Sequence, residues 1–390
     1  MFLFAFSFLL FPLLINNPIR LRLGLKLYSL ICKEPMNTYE HFMQEALKEA
    51  KRADYNLSPN PKVGCVIVKN NEIISRGYHR GSGQAHAEVD ALNKIGKAAE
   101  GADLYVTLEP CCHTGKTPPC IEAIIKAGIG RVFFSIIDPN PQVAGQGVEK
   151  LRAAGIEVFQ GLCKKEAREI NRFFLHFMTK GLPYVIAKWA MSLDGKMTTR
   201  EGDERQISSA ESQAHLHRVR NEVDAILVGV NTIIADDPLL TTRLVEAEII
   251  HQPLRIILDT KGRTPLSAKV LDGSLPGKTL MVTTELASQD GCQAIKNVEL
   301  LILPLCNDRV DLKSLLEELS KRQIMSVLVE GGRTVLESFF AEDLVQETQI
   351  YLAAKFIGNL AQKKHLFLEA EEIVGEDRFF RFTSRHCETT

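Results

Sequence analysis

From Met36 onward, short apolar runs alternate with stretches in which apolar residues recur every three or four positions. The runs predict β-strands, and the spaced stretches predict amphipathic helices. In the first half, strands are predicted over residues 63–68, 72–77, 104–108, 131–136 and 156–159. Helices are predicted over residues 39–53, 85–92, 148–154 and 164–179, and from a Thr117-Pro118-Pro119-Cys120 start with Thr117 as candidate cap to Gly128. This alternation is typical of a three-layer α/β domain.

The tripeptide Gly181-Leu182-Pro183 is the predicted domain boundary, because the last helix of the first half stops there and an extended run over 184–191 follows. Strands are predicted beyond it over residues 225–230, 254–259, 279–283 and 324–330, with helices over 209–221, 312–322 and 334–340. A chain of 390 residues is too long for one ordinary domain. We therefore predict two α/β domains, over residues 36–181 and 182–390.

Residues 1–15 are almost entirely apolar and differ from the rest of the chain. They are too short for a membrane span of about 20 residues. No positive residue precedes the apolar run and no clear small-residue cleavage site follows it, so a signal peptide fits poorly. Two interpretations remain, a segment that associates weakly with membranes and an extension from a misassigned start codon. Because Met36 opens a clean helix, we favour an extension over residues 1–35 and predict that a protein starting at Met36 stays active and soluble.

Composition and charge narrow the class of protein. The net charge of −1 provides no electrostatic footprint for nucleic acid, and 45% apolar residues suffice for sizeable cores. Nine cysteines without framework spacing indicate a reducing compartment. We therefore predict a cytoplasmic protein with no nucleic-acid partner and no stable association with a membrane.

The residues with the clearest chemistry are His86, Cys111 and Cys120, together with Glu88. One imidazole and two thiolates are a zinc ligand set, and three protein ligands leave a fourth position for water. Zinc brings the pKa of such a water to about 7, and Glu88 is placed to carry its proton. A His-x-Glu triplet followed by Pro-Cys is the signature of zinc-dependent nucleobase deaminases.

Three other interpretations of this motif remain open. The cysteines are inert buried thiols in the simplest of them. A purely structural zinc site forms a non-catalytic binding module, although it normally needs a fourth protein ligand and none is evident. An enzyme that edits nucleic acid uses the same motif, but the near-neutral charge disfavours it.

In the second half, a predicted strand runs through Glu330 into Gly331-Gly332 and then a helix. Backbone N–H groups at such a start bind anions, although an ordinary tight turn has the same composition. The segment 235–238 is predicted to be a loop after a strand, where α/β folds bind ligands. Arg220 and Arg243 are candidates for a bidentate grip on a substrate phosphate, or else for surface ion pairs.

Several collinear motifs resemble the family of bifunctional riboflavin-biosynthesis deaminase–reductases. They are Asn60-Pro61-Lys62-Val63-Gly64, His86-Ala87-Glu88-Val89, Thr107 to His113, Thr117 to Cys120, Asp138-Pro139-Asn140-Pro141, Ser192 to Lys196, Ala235-Asp236-Asp237-Pro238 and Glu330-Gly331-Gly332. The resemblance implies a cytidine-deaminase-like domain followed by a dihydrofolate-reductase-like domain. It implies zinc-dependent deamination of 2,5-diamino-6-ribosylamino-4(3H)-pyrimidinone 5′-phosphate, then reduction of the ribosyl group to ribityl with NADPH. It also implies a phosphorylated pyrimidine as partner. A homo-oligomer is expected, although the sequence does not give the oligomeric state.

The same resemblance assigns residues to each site. Zinc would be held by His86, Cys111 and Cys120, with Glu88 as the catalytic residue. The implied substrate positions are Asn60, His79 and Lys116 for the deaminase, and Glu204, Arg220, Leu240, Arg243 and Glu330 for the reductase. The implied cofactor positions are Ala144, Gln206, Thr232, Asp236, Thr260, Gly332, Arg333 and Thr334. Lys188 and Asp194 are implied to lie near the reductase site.

One segment departs from the family pattern, which commonly reads Ser-x-Trp-Ile-Thr-Ser where this chain has Glu204-Arg205-Gln206-Ile207-Ser208-Ser209. Gln206 replaces an aromatic ring, which removes apolar contact with the cofactor. Glu204 places an acid near the substrate phosphate unless an arginine compensates. A chain that retains only the deaminase, with the second domain as a structural partner, is therefore the alternative to a bifunctional enzyme.

Overall fold

The computed structural model describes residues 38–53, 57–113, 117–139, 145–197, 207–246, 250–287, 296–356, 366–374 and 377–384. The predicted extension, residues 1–35, lies outside the described residues, as do Lys116, Ala144, Glu204 and Gln206. The helices are α1 (Thr38–Lys51), α2 (Ala87–Asn93), α3 (Cys120–Lys126), α4 (Gln146–Ala153), α5 (Lys164–Ile170), α6 (Arg172–Lys180), α7 (Ala210–Glu222), α8 (Val230–Asp236), α9 (Leu312–Lys321) and α10 (Arg333–Ala341). Short 3₁₀ helices cover Gly96–Ala99 and Lys269–Leu271. Nowhere in these ranges is a helix both long enough and apolar enough to span a membrane.

The first half forms a five-stranded sheet in the order β2-β1-β3-β4-β5. Its strands are β1 (Gly64–Lys69), β2 (Glu72–Tyr78), β3 (Asp103–Leu108), β4 (Arg131–Ile136) and β5 (Glu157–Gln160). Strand β1 is antiparallel to β2 and β3, whereas β3, β4 and β5 are parallel. Helix α1 packs on one face through Phe42 and Met43, and α2 and α3 pack on the other through Ala91 and Ile124. The predicted three-layer arrangement is confirmed.

The second half forms a seven-stranded parallel sheet in the order β10-β9-β8-β7-β13-β6-β14. Its strands are β6 (Tyr184–Ser192), β7 (Ala225–Gly229), β8 (Leu254–Leu258), β9 (Thr279–Thr283), β10 (Val298–Ile302), β13 (Ser326–Val329) and β14 (Glu347–Ala353). Two small antiparallel pairs complete the set, β11 (Leu305–Cys306) with β12 (Arg309–Val310), and β15 (Leu366–Val374) with β16 (Asp377–Ser384). Because the seven strands are parallel, their carboxyl ends share one edge of the sheet.

Apolar side chains cover both faces of this second sheet. Leu315 and Phe339, from α9 and α10, belong to the core on one face, and Val219 and Ile233, from α7 and α8, belong to the core on the other. The strands of the sheet's centre are buried along their whole length, as is typical of parallel sheets with helices on both sides. The arrangement places loops at the carboxyl edge between two helical layers.

The helix predicted over residues 164–179 is wrong in one respect, because the structure divides it into α5 and α6 at Asn171. The Asn171 side chain accepts a hydrogen bond from the Lys62 N–H at 2.8 Å and donates one to the Lys62 carbonyl at 2.9 Å. Asparagine side chains compete with helical hydrogen bonding in this way. A contact with a residue far away in sequence therefore interrupts an otherwise continuous helical pattern.

Candidate functional site

The predicted zinc ligands lie at the ends of three elements that meet beside the first sheet. His86 is the residue immediately before α2, Cys111 follows the end of β3, and Cys120 is the first residue of α3. Each residue is fixed by the regular structure next to it. The motif is spread over 35 residues of sequence, yet the fold brings the three side chains together.

The donor atoms form a compact triangle. His86 Nδ1 lies 3.1 Å from Cys120 Sγ and 3.4 Å from Cys111 Sγ, and the two sulfurs are 3.4 Å apart. In a tetrahedral zinc site with ordinary bond lengths, these donors lie about 3.6–3.8 Å apart. The triangle needs to open by only a few tenths of an ångström, so these residues fit zinc. Within the described ranges, three protein donors make up the cluster, which suits a catalytic site with an open position.

Thr117 has a different role from the predicted helix cap. The residue that precedes α3 is Pro119, and it makes no side-chain cap hydrogen bond. The Thr117 hydroxyl instead lies 3.2 Å from His86 Nε2. If Nδ1 binds a metal, Nε2 holds the ring proton and donates it to Thr117 Oγ1, which fixes the tautomer and the orientation of the ring.

The surroundings of Cys111 favour its thiolate. Hydrogen bonds from the Cys120 and His86 side chains lower the pKa of Cys111 to about 4. The Cys120 backbone N–H also donates to Cys111 Sγ at 3.3 Å. A sulfur that already receives these donors is ready to bind a cation, because the thiolate is the ligand form of cysteine.

Glu88 lies in the first turn of α2 and is only 3% exposed. Burial, with a contribution from the Cys111 charge, raises its pKa to about 7, and its carboxyl group hydrogen-bonds the Cys120 side chain. A bound divalent cation acts in the opposite direction and favours the carboxylate. A buried acid beside the ligands, in contact with one of them, is suited to taking up and releasing a proton.

Two of the predicted deaminase substrate residues are described. His79 is buried and its ring stands edge-on to that of His86, with centroids 5.1 Å apart. Its Nδ1–H donates to the Ala85 carbonyl at 3.2 Å, and burial lowers its pKa, so the neutral ring is favoured. Asn60 lies in the loop between α1 and β1, and its side-chain amide donates to the Leu57 carbonyl at 3.1 Å.

Glu109, which sequence reasoning treated only as part of a motif, supports the zinc segment. It is 3% exposed, and its Oε2 accepts from the Gly145 N–H at 3.1 Å and from the Asp138 N–H at 3.4 Å. Gly147, in α4, packs directly on the Pro110 carbonyl. In the sequence, the only indication of this role is that Glu109 lies two residues before the predicted ligand Cys111. Ala144, predicted as a cofactor residue, lies outside the described residues, and its neighbour Gly145 belongs to this first-half contact.

Most of the described cofactor positions in the second half lie at the carboxyl edge of the sheet. Thr232 is in the first turn of α8, after β7, and its hydroxyl approaches Gly332, the residue that precedes α10. Thr260 follows β8, and its carbonyl accepts from the Thr284 hydroxyl at 2.9 Å. The segment 235–238 is not wholly a loop as predicted, because α8 continues to Asp236.

Two close approaches define the start of α10. A side chain at Gly229 would meet Val335 Cγ2 at 2.7 Å, and one at Gly331 would meet Val335 Cβ at 2.9 Å. Arg333 and Thr334, the other predicted cofactor residues, are exposed in the first turn, and Arg333 Nε pairs with Glu337 at 2.6 Å. The exposed helix start therefore presents backbone N–H groups at the same edge as Thr232.

A buried charge cluster lies beside this edge. Arg220 donates from Nε and Nη2 to the Glu330 carboxylate at 2.7 and 2.9 Å, and from Nη1 to the Thr241 carbonyl at 3.2 Å. Lys188 Nζ is 4.0 Å from the same carboxylate. Burial alone raises the pKa of Glu330, but Arg220 outweighs it and the net pKa is lowered. Burial lowers the pKa of Lys188.

These contacts correct one expectation about phosphate binding. Arg220 does not offer a bidentate grip, because Glu330 already takes that face of its guanidinium. Arg243 is exposed, and its Nη1 donates to Thr241 Oγ1 at 2.8 Å, so the outer face of its guanidinium suits an anion. Leu240 is buried next to these residues with a φ of 52°.

His217 was missed by sequence reasoning because a single histidine on a helix carries no motif. It is 4% exposed, and its Nδ1 accepts a hydrogen bond from the Arg243 backbone N–H at 3.1 Å. Burial, together with Arg220 and Arg243, lowers its pKa to about 4. His217 is therefore a neutral acceptor near pH 7 and holds the backbone of Arg243.

Comparison with known proteins is decisive for the family. The model of the cytidine and deoxycytidylate deaminase zinc-binding region matches residues 36–136, and that of the RibD C-terminal domain matches residues 183–387. The chain belongs to the RibD family. It is 46% identical over 319 residues to the riboflavin biosynthesis protein RibD of Aquifex aeolicus, covering 82% of this chain and 88% of that protein. The RibD of Escherichia coli is 41% identical over 334 residues, covering 83% and 89%.

Solved RibD structures agree with this fold. Acinetobacter baumannii RibD aligns with a TM-score of 0.74 at 37% identity, covering 90% of this chain and 99% of that one. A Thermotoga maritima deaminase/reductase aligns with a TM-score of 0.73 at 34% identity, covering 89% and 99%. The predicted two-part fold, and with it a bifunctional deaminase and reductase of riboflavin biosynthesis, are confirmed. The deaminase part matches the zinc-binding region of cytidine and deoxycytidylate deaminases, and its His/Cys/Cys cluster is consistent with that metal.

Proposed function

We propose that His86, Cys111 and Cys120 hold zinc and that Glu88 carries the proton for deamination. This proposal rests on the three donor atoms, which lie 3.1–3.4 Å apart, and on the Glu88 side chain beside them, which is only 3% exposed. Zinc, when bound, supplies a Lewis acid that makes water acidic near neutral pH. Glu88 then accepts the proton and delivers it to the departing ammonia, because it is buried next to the ligands.

For the substrate of this step we propose 2,5-diamino-6-ribosylamino-4(3H)-pyrimidinone 5′-phosphate. The similar Thermotoga maritima protein carries the name diaminohydroxyphosphoribosylaminopyrimidine deaminase, which supports this choice. His79 and Asn60 are proposed to contact the substrate, as is Lys116, which lies outside the described residues. A neutral His79 with its Nδ1–H bonded to Ala85 leaves Nε2 as an acceptor for the exocyclic groups of a pyrimidine.

In the second half we propose reduction of the ribosyl group to ribityl. NADPH, when bound, supplies the hydride. Thr232, Asp236, Thr260 and the turn Gly332-Arg333-Thr334 are proposed to bind it along the carboxyl edge, where open α/β sheets bind nucleotides. Glu330 and Arg220 form a rigid ion pair that orients the sugar, with Lys188 and Asp194 nearby. Arg243 is proposed to bind the substrate phosphate and Leu240 to shape that pocket.

The domain limits follow the same division, with the deaminase over residues 36–181 and the reductase over 182–390. A second candidate function is deamination alone, and the motivating observation is the sequence at Glu204 and Gln206. NADPH oxidation by the purified protein, given deaminated substrate, separates the two candidates. The cytoplasmic location and the homo-oligomer stay predictions.

One experiment tests the main proposal. Glu88→Gln is expected to lower ammonia release by a factor of about 10²–10⁴, because the proton carrier is lost. The same variant should oxidise NADPH normally when it is given deaminated substrate. Glu122→Gln, which changes an exposed acid in the first turn of α3, is the matched control and should leave both activities intact. Normal ammonia release by Glu88→Gln would contradict the proposal.

A further inference from the structure

Residues 57–62, here called the 57–62 loop, lie between α1 and β1 and include Asn60. Its last residue is fixed by Asn171, whose side chain bonds both the N–H and the carbonyl of Lys62. The next residue, Val63, accepts from the His79 backbone N–H at 3.0 Å. The loop end is thereby connected to the residue whose ring contacts zinc-ligand His86.

The beginning of the same loop contacts the second half of the chain. The Ser58 hydroxyl donates to the Gln323 carbonyl at 3.4 Å, and it also lies close to the Asp224 carboxylate. Asp224 in turn accepts from the backbone N–H groups of Met325 and Ser326 at 2.8 and 3.0 Å. A carboxylate held by two backbone donors is a rigid partner for the Ser58 hydroxyl.

These second-half residues lie at the edge of the sheet opposite the reductase site. Asp224 immediately precedes β7, and Ser326 is the first residue of β13, whereas the proposed reductase residues follow the carboxyl ends of these strands. The five residues of β7 separate the two edges by about 16 Å. The contact with the loop is therefore not a part of the reductase site.

The junction is tightly packed. Met325, from the second half, is 6% exposed and belongs to the apolar core of the first half. The cavity between Ser58, Asn60, Asn171, Asp224 and Met325 has a volume of only about 40 Å³. A pocket of this size admits only a few water molecules, so the two halves are in close contact beside the loop.

We propose that the second half of the chain, through Asp224 and the backbone at Gln323, holds the 57–62 loop in the shape that binds the deaminase substrate. Ser58 and Asn171 are positioning residues in this arrangement, since they act on Asn60 through the backbone. The reductase domain is thus a structural component of the deaminase site. This inference rests on the proposed role of Asn60 as a substrate contact.

Steady-state kinetics of ammonia release by the full-length chain test the proposed positioning of the 57–62 loop. Ser58→Ala is expected to raise KM for the deaminase substrate about five- to tenfold, because the hydrogen bond from Ser58 to the Gln323 carbonyl is lost. The kcat for ammonia release and the rate of NADPH oxidation with deaminated substrate should stay within twofold of the wild type. Ser58→Thr retains the hydroxyl and should restore KM.

Ser320→Ala is the matched control. It removes another hydroxyl contact between the halves, the 2.6 Å hydrogen bond from Ser320 to the Gly181 carbonyl, without touching the loop. Its KM should equal that of the wild type. An unchanged KM in Ser58→Ala, or an equal rise in Ser320→Ala, overturns the inference. A wild-type chain that releases no ammonia would instead contradict the proposed function itself.

Discussion

Replacing Gly147 with alanine tests how closely the zinc segment is supported. A Cβ at this position would lie 2.5 Å from the Pro110 carbonyl oxygen and 3.3 Å from Glu109 Oε1. Pro110 directly precedes the ligand Cys111. Since the obstacle is backbone and not a flexible side chain, either α4 or the Pro110 peptide has to move.

Two opposing effects decide whether Gly147→Ala stabilises or destabilises the zinc segment. Alanine in place of glycine inside a helix stabilises it by about 0.8–1 kcal/mol. Against that, an ordinary carbon–oxygen contact of about 3.3 Å requires a shift of about 0.8 Å, and overpacking of this kind costs about 1–3 kcal/mol. Metal–ligand distances tolerate only about 0.2 Å. The contact therefore outweighs helix propensity, and zinc binding weakens about 10- to 100-fold.

Competition between the protein and a chromogenic chelator measures this zinc affinity. Gly81→Ala is the matched control, because it lies in the turn before α2, where an added Cβ meets only Gln84 Cγ at 3.9 Å. Wild type and Gly81→Ala should bind zinc alike, and Gly147→Ala should lose zinc at lower chelator concentrations. If Gly147→Ala binds zinc as tightly as the wild type and melts at a higher temperature, the reasoning is refuted.

Three further predictions concern the second half. Arg243→Ala should raise the reductase KM for the phosphorylated substrate at least about tenfold with kcat little changed, as measured by NADPH oxidation; an unchanged KM would contradict phosphate binding. Glu330→Gln leaves Arg220 and Lys188 without a buried counter-charge and should lower the free energy of unfolding, measured in urea, by about 3–5 kcal/mol. A decrease of less than about 1 kcal/mol would contradict this prediction. The pKa of His217 is lowered from 6.5 to about 4, so the folded state binds its proton more weakly than the unfolded state and stability falls as the pH drops from 6.5 toward 4. His217→Gln should flatten that slope.

The zinc site was predictable from sequence because its residues sit next to regular elements. His86, Cys111 and Cys120 each adjoin the end of a strand or the start of a helix, and those elements have clear apolar patterns. Glu88 follows from its place in the first turn of the helix that begins directly after His86. Local sequence patterns are therefore enough to predict where the three donor residues lie.

Other features depend on contacts between distant residues, which local patterns do not contain. The break at Asn171 arises from Lys62, 109 positions away, and the pairing of Arg220 with Glu330 spans 110 positions. The local sequence predicts Thr117 as a helix cap, but in the structure its hydroxyl lies beside His86 Nε2. His217 lacked any motif, and only the buried position beside Arg243 indicates its role.

X-ray absorption at the zinc edge of the purified full-length protein would identify the ligands of the metal. We expect one zinc per chain with two sulfur neighbours at about 2.3 Å and two nitrogen or oxygen neighbours at about 2.0–2.1 Å, the second of these being solvent. Exchange of that solvent for a substrate analogue should change the lighter shell and leave both sulfurs in place. Zinc bound by three or four sulfurs, or fully active protein without zinc, would contradict the proposed zinc site.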